Sequence, residues 1–264
     1  PDVGEMMEQP IVIIGIGELA GVIARAFLRN GHPVYPITRG MDIQEEAKNL
    51  PDPQMVLVGV AEKDFPDVMQ TIPEQWQNKL VLIQNELLPK DWEKYNVLKP
   101  TVMSVWFEKK KGMDYNPIRP SPVYGPMAEI IAGSLEQLDI PCNVLGSEDD
   151  LLSELVLKNV FVFTINIAGL ILPEGTTTGM LWEENRQLAL DVAGNVIDLQ
   201  ESITGKKFSR DRLREGLVAG LKGDPHHKCK GRSARGRLIR TIEAADAAGL
   251  ELKAVMDVSR RLGN

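Results

Sequence analysis

Apolar positions keep two different rhythms along this chain, and the change comes near Gly146. Before it, short continuous runs predominate. Ile11-Val12-Ile13-Ile14 is a β-branched run that suits a strand buried on both faces of a parallel sheet. Val34 to Thr38, Met55 to Val60, Leu80 to Ile83, Thr101 to Phe107 and Cys142 to Leu145 read as further strands. Helical spacing lies between several of them, over Leu19 to Asn30, Phe65 to Ile72 and Ala128 to Leu138. Asn30-Gly31 closes the first of these helices, and Lys111-Gly112 reads as a turn. From Ser147 only helical spacing remains, over Glu148 to Leu172, Thr178 to Ile203, Ser209 to Leu221, Ser233 to Ala248 and Leu250 to Leu262. Strands alternating with helices predict a doubly wound parallel sheet. The expected fold class is α/β: a sheet domain over residues 1–146, then an all-α C-terminal domain over residues 147–264.

Composition narrows what such a protein handles. Aromatic residues make up only 5% of the chain, so the core is expected to be aliphatic. A net charge of -7 argues against a general nucleic-acid binder, which is usually basic. Cys142 and Cys229 lie far apart without metal-ligand spacing and read as free thiols in a reducing compartment. The stretch Pro1 to Pro10 is acidic and lacks the basic and apolar regions of an export signal. The apolar run Val160 to Leu172 is short and carries Thr164 and Asn166, so it reads as a core helix rather than a membrane span. The expectation is a cytoplasmic protein with no membrane partner.

The strongest chemical signal follows the first strand. Gly15-Ile16-Gly17-Glu18-Leu19-Ala20 runs from a strand into a helix, the context a dinucleotide-binding glycine motif requires. Gly15 permits a tight turn and Gly17 lets backbone approach a pyrophosphate. Ala20 and Gly21 allow close helix–strand packing, and the helix N-terminus offers N–H groups to phosphate. The sheet domain is thereby expected to be a Rossmann domain, with Ile16, Glu18 and Leu19 also at the cofactor. Glu18 repels a pyrophosphate if it turns inward and is harmless if it faces solvent. After the second strand stand Thr38 and Arg39, with no acid before Asp42. An acid there binds ribose hydroxyls, whereas an arginine accommodates a 2′-phosphate, so NADPH is the expected cofactor. The alternative is that Arg39 is simply an exposed basic residue.

Along nearly its full length the chain resembles the ketopantoate reductase family, within the wider group that includes 6-phosphogluconate dehydrogenase. The resemblance rests on the glycine loop, on Leu80-Val-Leu-Ile-Gln-Asn-Glu86, on Leu157-Lys-Asn-Val-Phe-Val-Phe-Thr-Ile-Asn166, and on the closing helices with Ala247-Ala-Gly-Leu-Glu-Leu252. It implies that a nicotinamide hydride reduces a 2-oxo acid while a lysine serves as general acid. Lys158 falls on that lysine, Asn85 on an asparagine near nicotinamide and substrate, and Asn166 on a substrate-contacting asparagine. Val60, at the end of the third strand, joins the cofactor set. Ser233 is the counterpart of a substrate-holding serine, with Arg232 beside it. The same resemblance implies a homodimer through the helical domain. Three features depart from the family: Val162 replaces an asparagine, Glu86-Leu87 follows Asn85 where glycine is preferred, and no acid stands near Ser233. The departures point to a substrate other than ketopantoate, and they leave open a relative that binds nucleotide as a sensor or scaffold without catalysis.

The residues themselves allow bland readings beside these roles. Lys158 is the only charged residue between Glu154 and Glu174, so it either faces a cleft with a lowered pKa or lays its stem along apolar surface. Asn85 suits a turn, and Asn166 suits a core position satisfied by backbone. Asn166 lies about 80° round the helix from Lys158, so both can border one surface. His226, His227, Lys228, Lys230, Arg232, Arg235, Arg237 and Arg240 crowd one stretch of an acidic chain. Lining a cleft, they favour a small anionic substrate; otherwise they form a solvated face. His226-His227 has no further ligand cluster, so no metal site is expected.

Overall fold

The computed structural model describes residues 9–263, so residues 1–8 of the acidic stretch Pro1 to Pro10, expected to be no export signal, lie outside the described residues. The chain divides into two compact units after Leu152, inside one long helix.

The first unit is built on a seven-stranded sheet. Its strands are β1 (Ile11–Ile14), β2 (Val34–Ile37), β3 (Met55–Val58), β4 (Leu80–Leu82), β5 (Thr101–Met103), β8 (Ser121–Tyr124) and β9 (Cys142–Val144). They stand in the order β2-β1-β3-β4-β5-β8-β9. The first five are parallel, β8 is antiparallel to β5, and β9 is parallel to β8. Between β5 and β8 the chain makes a separate two-stranded hairpin from β6 (Phe107–Glu108) and β7 (Asn116–Pro117).

Both sheet faces are covered. Ile11, Ile13, Met55, Leu57 and Val81 pack with Ile23, Ala26 and Phe27 of α1 (Glu18–Arg29), and with Ile131 and Leu135 of α5 (Ala128–Glu136). The alternate residues Val12, Ile14, Val56, Val58, Leu80 and Leu82 are equally buried, which is why these strands read as continuous apolar runs. Short helices α2 (Ile43–Asn49), α3 (Phe65–Thr71) and α4 (Pro89–Glu93) fill the other connections.

Two sequence expectations need correction here. Thr101 to Phe107 is not one strand: β5 ends at Met103, and the chain resumes pairing only at Phe107, in the hairpin. Strand β8 was not expected at all. Pro120 and Pro122 mask it, because proline removes ladder donors, yet the Pro122 carbonyl still accepts from Ser104 N at 2.9 Å.

The second unit is helical. It continues α6 (Glu148–Gly169) and adds α7 (Thr178–Glu184), α8 (Arg186–Thr204), α9 (Arg210–Gly223), α10 (Ala234–Ala248) and α11 (Lys253–Arg261). The single helix expected over Thr178 to Ile203 is broken at Asn185, which ends α7 and starts α8 with φ −130° and ψ 33°. Asparagine suits both positions because its short polar side chain competes with helical hydrogen bonding. By length and composition α6 is apolar enough to cross a membrane, and its most apolar window is 83% buried within the protein.

Candidate functional site

The glycine loop is shaped by three close backbone approaches. Gly15 N donates to Ile37 O at 2.8 Å, which ties the loop to the end of β2. With φ +86°, Gly15 occupies the left-handed region, and a Cβ there would sit 2.7 Å from Val60 Cγ1. Gly59 N donates to Ile14 O at 2.7 Å, and a Cβ on Gly59 would lie 2.6 Å from Gly15 O and 2.7 Å from Ala20 Cβ. Gly15, Ala20 and Gly59 are therefore one steric unit joining β1, α1 and β3. Sequence reasoning found the first two. Gly59 was missed, although a glycine closing a β-branched strand is the signal that marks it.

Gly17 does a different job. It is the N-cap of α1 in extended backbone, and no side chain caps the helix. A Cβ on Gly17 would meet nothing within 4 Å, so the loop is unobstructed at that position. The first-turn N–H groups of a helix have no partner within the helix, and here no side chain caps them at the positive end of the dipole. This suits a pyrophosphate. Glu18 does not intrude freely: its half-exposed carboxylate pairs with Lys109 Nζ at 3.3 Å.

The neighbouring strand ends complete the edge. Thr38 and Arg39 are exposed in the turn after β2, where Met41 N donates to Thr38 O. Asp42, the nearest acid, accepts from Glu45 N at 3.0 Å as the cap of α2. After β4, Asn85 is half-buried and donates from Nδ2 to Glu62 Oε1 at 3.1 Å. Glu86 follows with φ +69°, a conformation glycine holds at lower cost, at the place where the resembled family prefers glycine. Gln84 was not singled out from sequence. It is buried and donates from Nε2 to Val58 O at 2.7 Å and Val60 O at 3.0 Å, bracing the end of β3 against β4. The structure thus gathers Gly15, Gly17, Ala20 and Val60 into one loop cluster on the first unit, with Thr38, Arg39 and Asn85 at adjoining strand ends.

On the second unit, Lys158 is half-buried on α6, with Nζ 5.6 Å from the centre of the Phe161 ring. Its neighbour Asn159 is buried and donates to Gln200 Oε1 at 2.9 Å. Asn166 is also buried. Its Nδ2 donates to Cys229 O at 2.9 Å, and its Oδ1 accepts from Arg237 Nη1 at 2.6 Å. Arg237, expected as one cation of a basic stretch, is thus drawn into the core of the helical unit, while Arg232, Ser233, Arg235 and Arg240 stay exposed. Gly169 permits this packing, since a Cβ there would lie 2.8 Å from Cys229 Cβ. Burial pushes the Cys229 thiol up to about 12.

No family model matches the chain, and no curated protein matches it in sequence. Solved structures do match in fold. The 2-dehydropantoate 2-reductase of Methylococcus capsulatus superposes with a TM-score of 0.72 at 11% identity, covering 96% of both chains. The dimeric ketopantoate reductase of Staphylococcus aureus gives 0.65 at 12% identity, over 96% of this chain and 98% of that one. A D-mandelate dehydrogenase solved with NADH and anilino(oxo)acetate gives 0.68 at 10% identity, over 96% and 97%. The chain has the two-part fold of these proteins across nearly its whole length.

Proposed function

We propose that the protein is an NADPH-dependent oxidoreductase that reduces a small anionic 2-oxo acid. One observation carries the reading: the uncapped start of α1, reached through a glycine loop in which Gly15 and Gly59 leave no room for a side chain. The shared fold supports it, because the neighbours are ketopantoate reductases and a mandelate dehydrogenase. Arg39 is the candidate for the 2′-phosphate, a role supported by the engagement of Asp42 as a helix cap.

When bound, the dihydronicotinamide supplies the hydride that reduces the carbonyl carbon. The chain supplies orientation and a proton. The Lys158 ammonium gives its proton to the carbonyl oxygen as that oxygen gains negative charge, leaving an alcohol and a neutral amine that regains a proton from water. Asn85 and Asn166 belong to the same proposal as orienting groups, and the exposed Arg232 and Ser233 as contacts for the substrate carboxylate. A homodimer through the helical unit is part of the reading, as is a reducing compartment for the free Cys142 and Cys229.

A second reading has a specific observation in its favour. Both ends of the Asn166 amide are already engaged within the helical unit, and Val162 stands where the resembled family carries asparagine. Such a chain binds nucleotide and has given up the reaction.

The test is a fluorescence titration with NADPH and NADH, followed by turnover across a panel of 2-oxo acids. Binding that favours NADPH is expected, with Arg39→Ala weakening NADPH about tenfold and NADH little. Lys158→Ala is expected to lose turnover while keeping NADPH affinity. Binding without turnover on any acid favours the second reading, and equal losses of NADPH and NADH refute the role of Arg39.

A further inference from the structure

The hairpin between β6 and β7 lies along α1 and touches it at two places. Lys109 Nζ reaches Glu18 Oε2 at 3.3 Å in the first helical turn. Further along, Arg25 Nη1 stands 4.0 Å from Asp114 Oδ1, with its guanidinium 5.9 Å from the centre of the Tyr115 ring. Glu18 and Arg25 are two turns apart on one helix face. Tyr115 in turn donates its hydroxyl to Leu138 O at 2.8 Å, which anchors the hairpin against the chain beyond α5. The hairpin is therefore held in register with α1, and its Lys109 is held beside the helix start.

Resting on the dinucleotide reading above, we infer that Lys109 is the cation of the pyrophosphate site and that Glu18 is its internal competitor. The glycine loop from Gly15 to Ala20 contains no basic residue, so its N–H groups alone would face a doubly charged pyrophosphate. Lys109 supplies the missing charge. Its ammonium has three protons: one is directed at Glu18, one at Lys110 O at 2.9 Å, and the third is available to a phosphate oxygen. Its neighbour Lys110 is drawn aside to Glu108 Oε1 at 3.0 Å. In the free protein the Glu18 carboxylate sits at the helix start, where the dipole favours an anion, and keeps the lysine oriented. The pair is open to solvent on its half-exposed Glu18 side, which screens it, so exchanging it for phosphate costs less than breaking a buried pair. As the nucleotide arrives, Glu18 becomes a like charge beside it and Lys109 turns to the phosphate.

The experiment is an NADPH titration of the wild type, Lys109→Met, Glu18→Gln and the double variant, at low and high salt, with thermal midpoints checked for each. Lys109→Met is expected to bind about tenfold more weakly with a flatter salt dependence, as loss of one charge-assisted hydrogen bond requires. Glu18→Gln is expected to bind several-fold more tightly, by about 3-fold or more. The double variant should bind about tenfold more weakly than Glu18→Gln alone, and Lys109→Arg should restore affinity. If the double variant binds as Glu18→Gln does, Lys109 only neutralises Glu18 and the inference is overturned. The same follows if the wild type binds and Lys109→Met binds equally well. Should neither the wild type nor Glu18→Gln bind, the dinucleotide reading itself falls and the inference falls with it.

Discussion

The two units build their polar features by opposite means. In the sheet unit, the glycine loop is set by what is missing: side-chain atoms at Gly15 and Gly59, and a cap on α1. In the helical unit, Asn159 with Gln200 and Asn166 with Arg237 are specific side-chain pairs between distant stretches of chain. A site made by omission tolerates no additions, whereas one made of paired side chains tolerates no deletions.

The largest effect should come from adding an atom to the first. Gly15→Ala combines a strained φ of +86° with a contact of 2.7 Å to Val60 Cγ1, and is expected to cost about 3 kcal/mol and to abolish nucleotide binding. Urea unfolding together with an NADPH titration checks this, and a neutral result would break the contrast on the sheet side. Deleting from the second comes next. Arg237→Met strips the buried Asn166 Oδ1 of its charged donor and is expected to cost about 2 kcal/mol while leaving the nucleotide affinity of the sheet unit unchanged. Parallel losses of stability and affinity would show that the two features are not separable.

The smallest effect sharpens the contrast through pH. Burial alone would push the Glu201 carboxyl up, but the Lys207 ammonium, the Phe208 N–H and the Arg210 guanidinium together hold it below its ordinary value of 4.5. A carboxyl lowered in the folded state adds stability that is fully present above that ordinary value and is lost as pH falls through the lower, folded-state one. Because Lys207 is exposed and screened, Glu201→Gln should cost only about 1 kcal/mol near neutrality and nothing in strong acid. A pH series of denaturation midpoints for both proteins would show the difference closing from below pH 4.5, and a constant gap would refute the assignment.

The same division explains what could be read from the chain alone. Strand runs such as Ile11 to Ile14 and the loop after them were legible, because buried parallel strands and glycine turns are local patterns. Strand β8 was hidden by Pro120 and Pro122, and the break at Asn185 by apolar spacing that continues across it. Lys109 could not be linked to Glu18, nor Arg237 to Asn166, since each pair joins residues far apart in sequence and nothing in the local pattern names the partner. Asp42 is legible as an acid, but its engagement as a helix cap depends on where α2 starts, which the apolar pattern leaves unmarked.

Pro36 has a consequence for assembly. Ile11 N donates to Pro33 O and Gly15 N to Ile37 O, so the odd-numbered residues of β2 turn toward β1 and Pro36 turns toward the open margin of the sheet. A strand from another molecule docking there would find a ring carbon where it needs a donor. Pro36 thereby removes a donor that β-augmentation at this margin would need, and weakens one route by which α/β proteins run together into fibres.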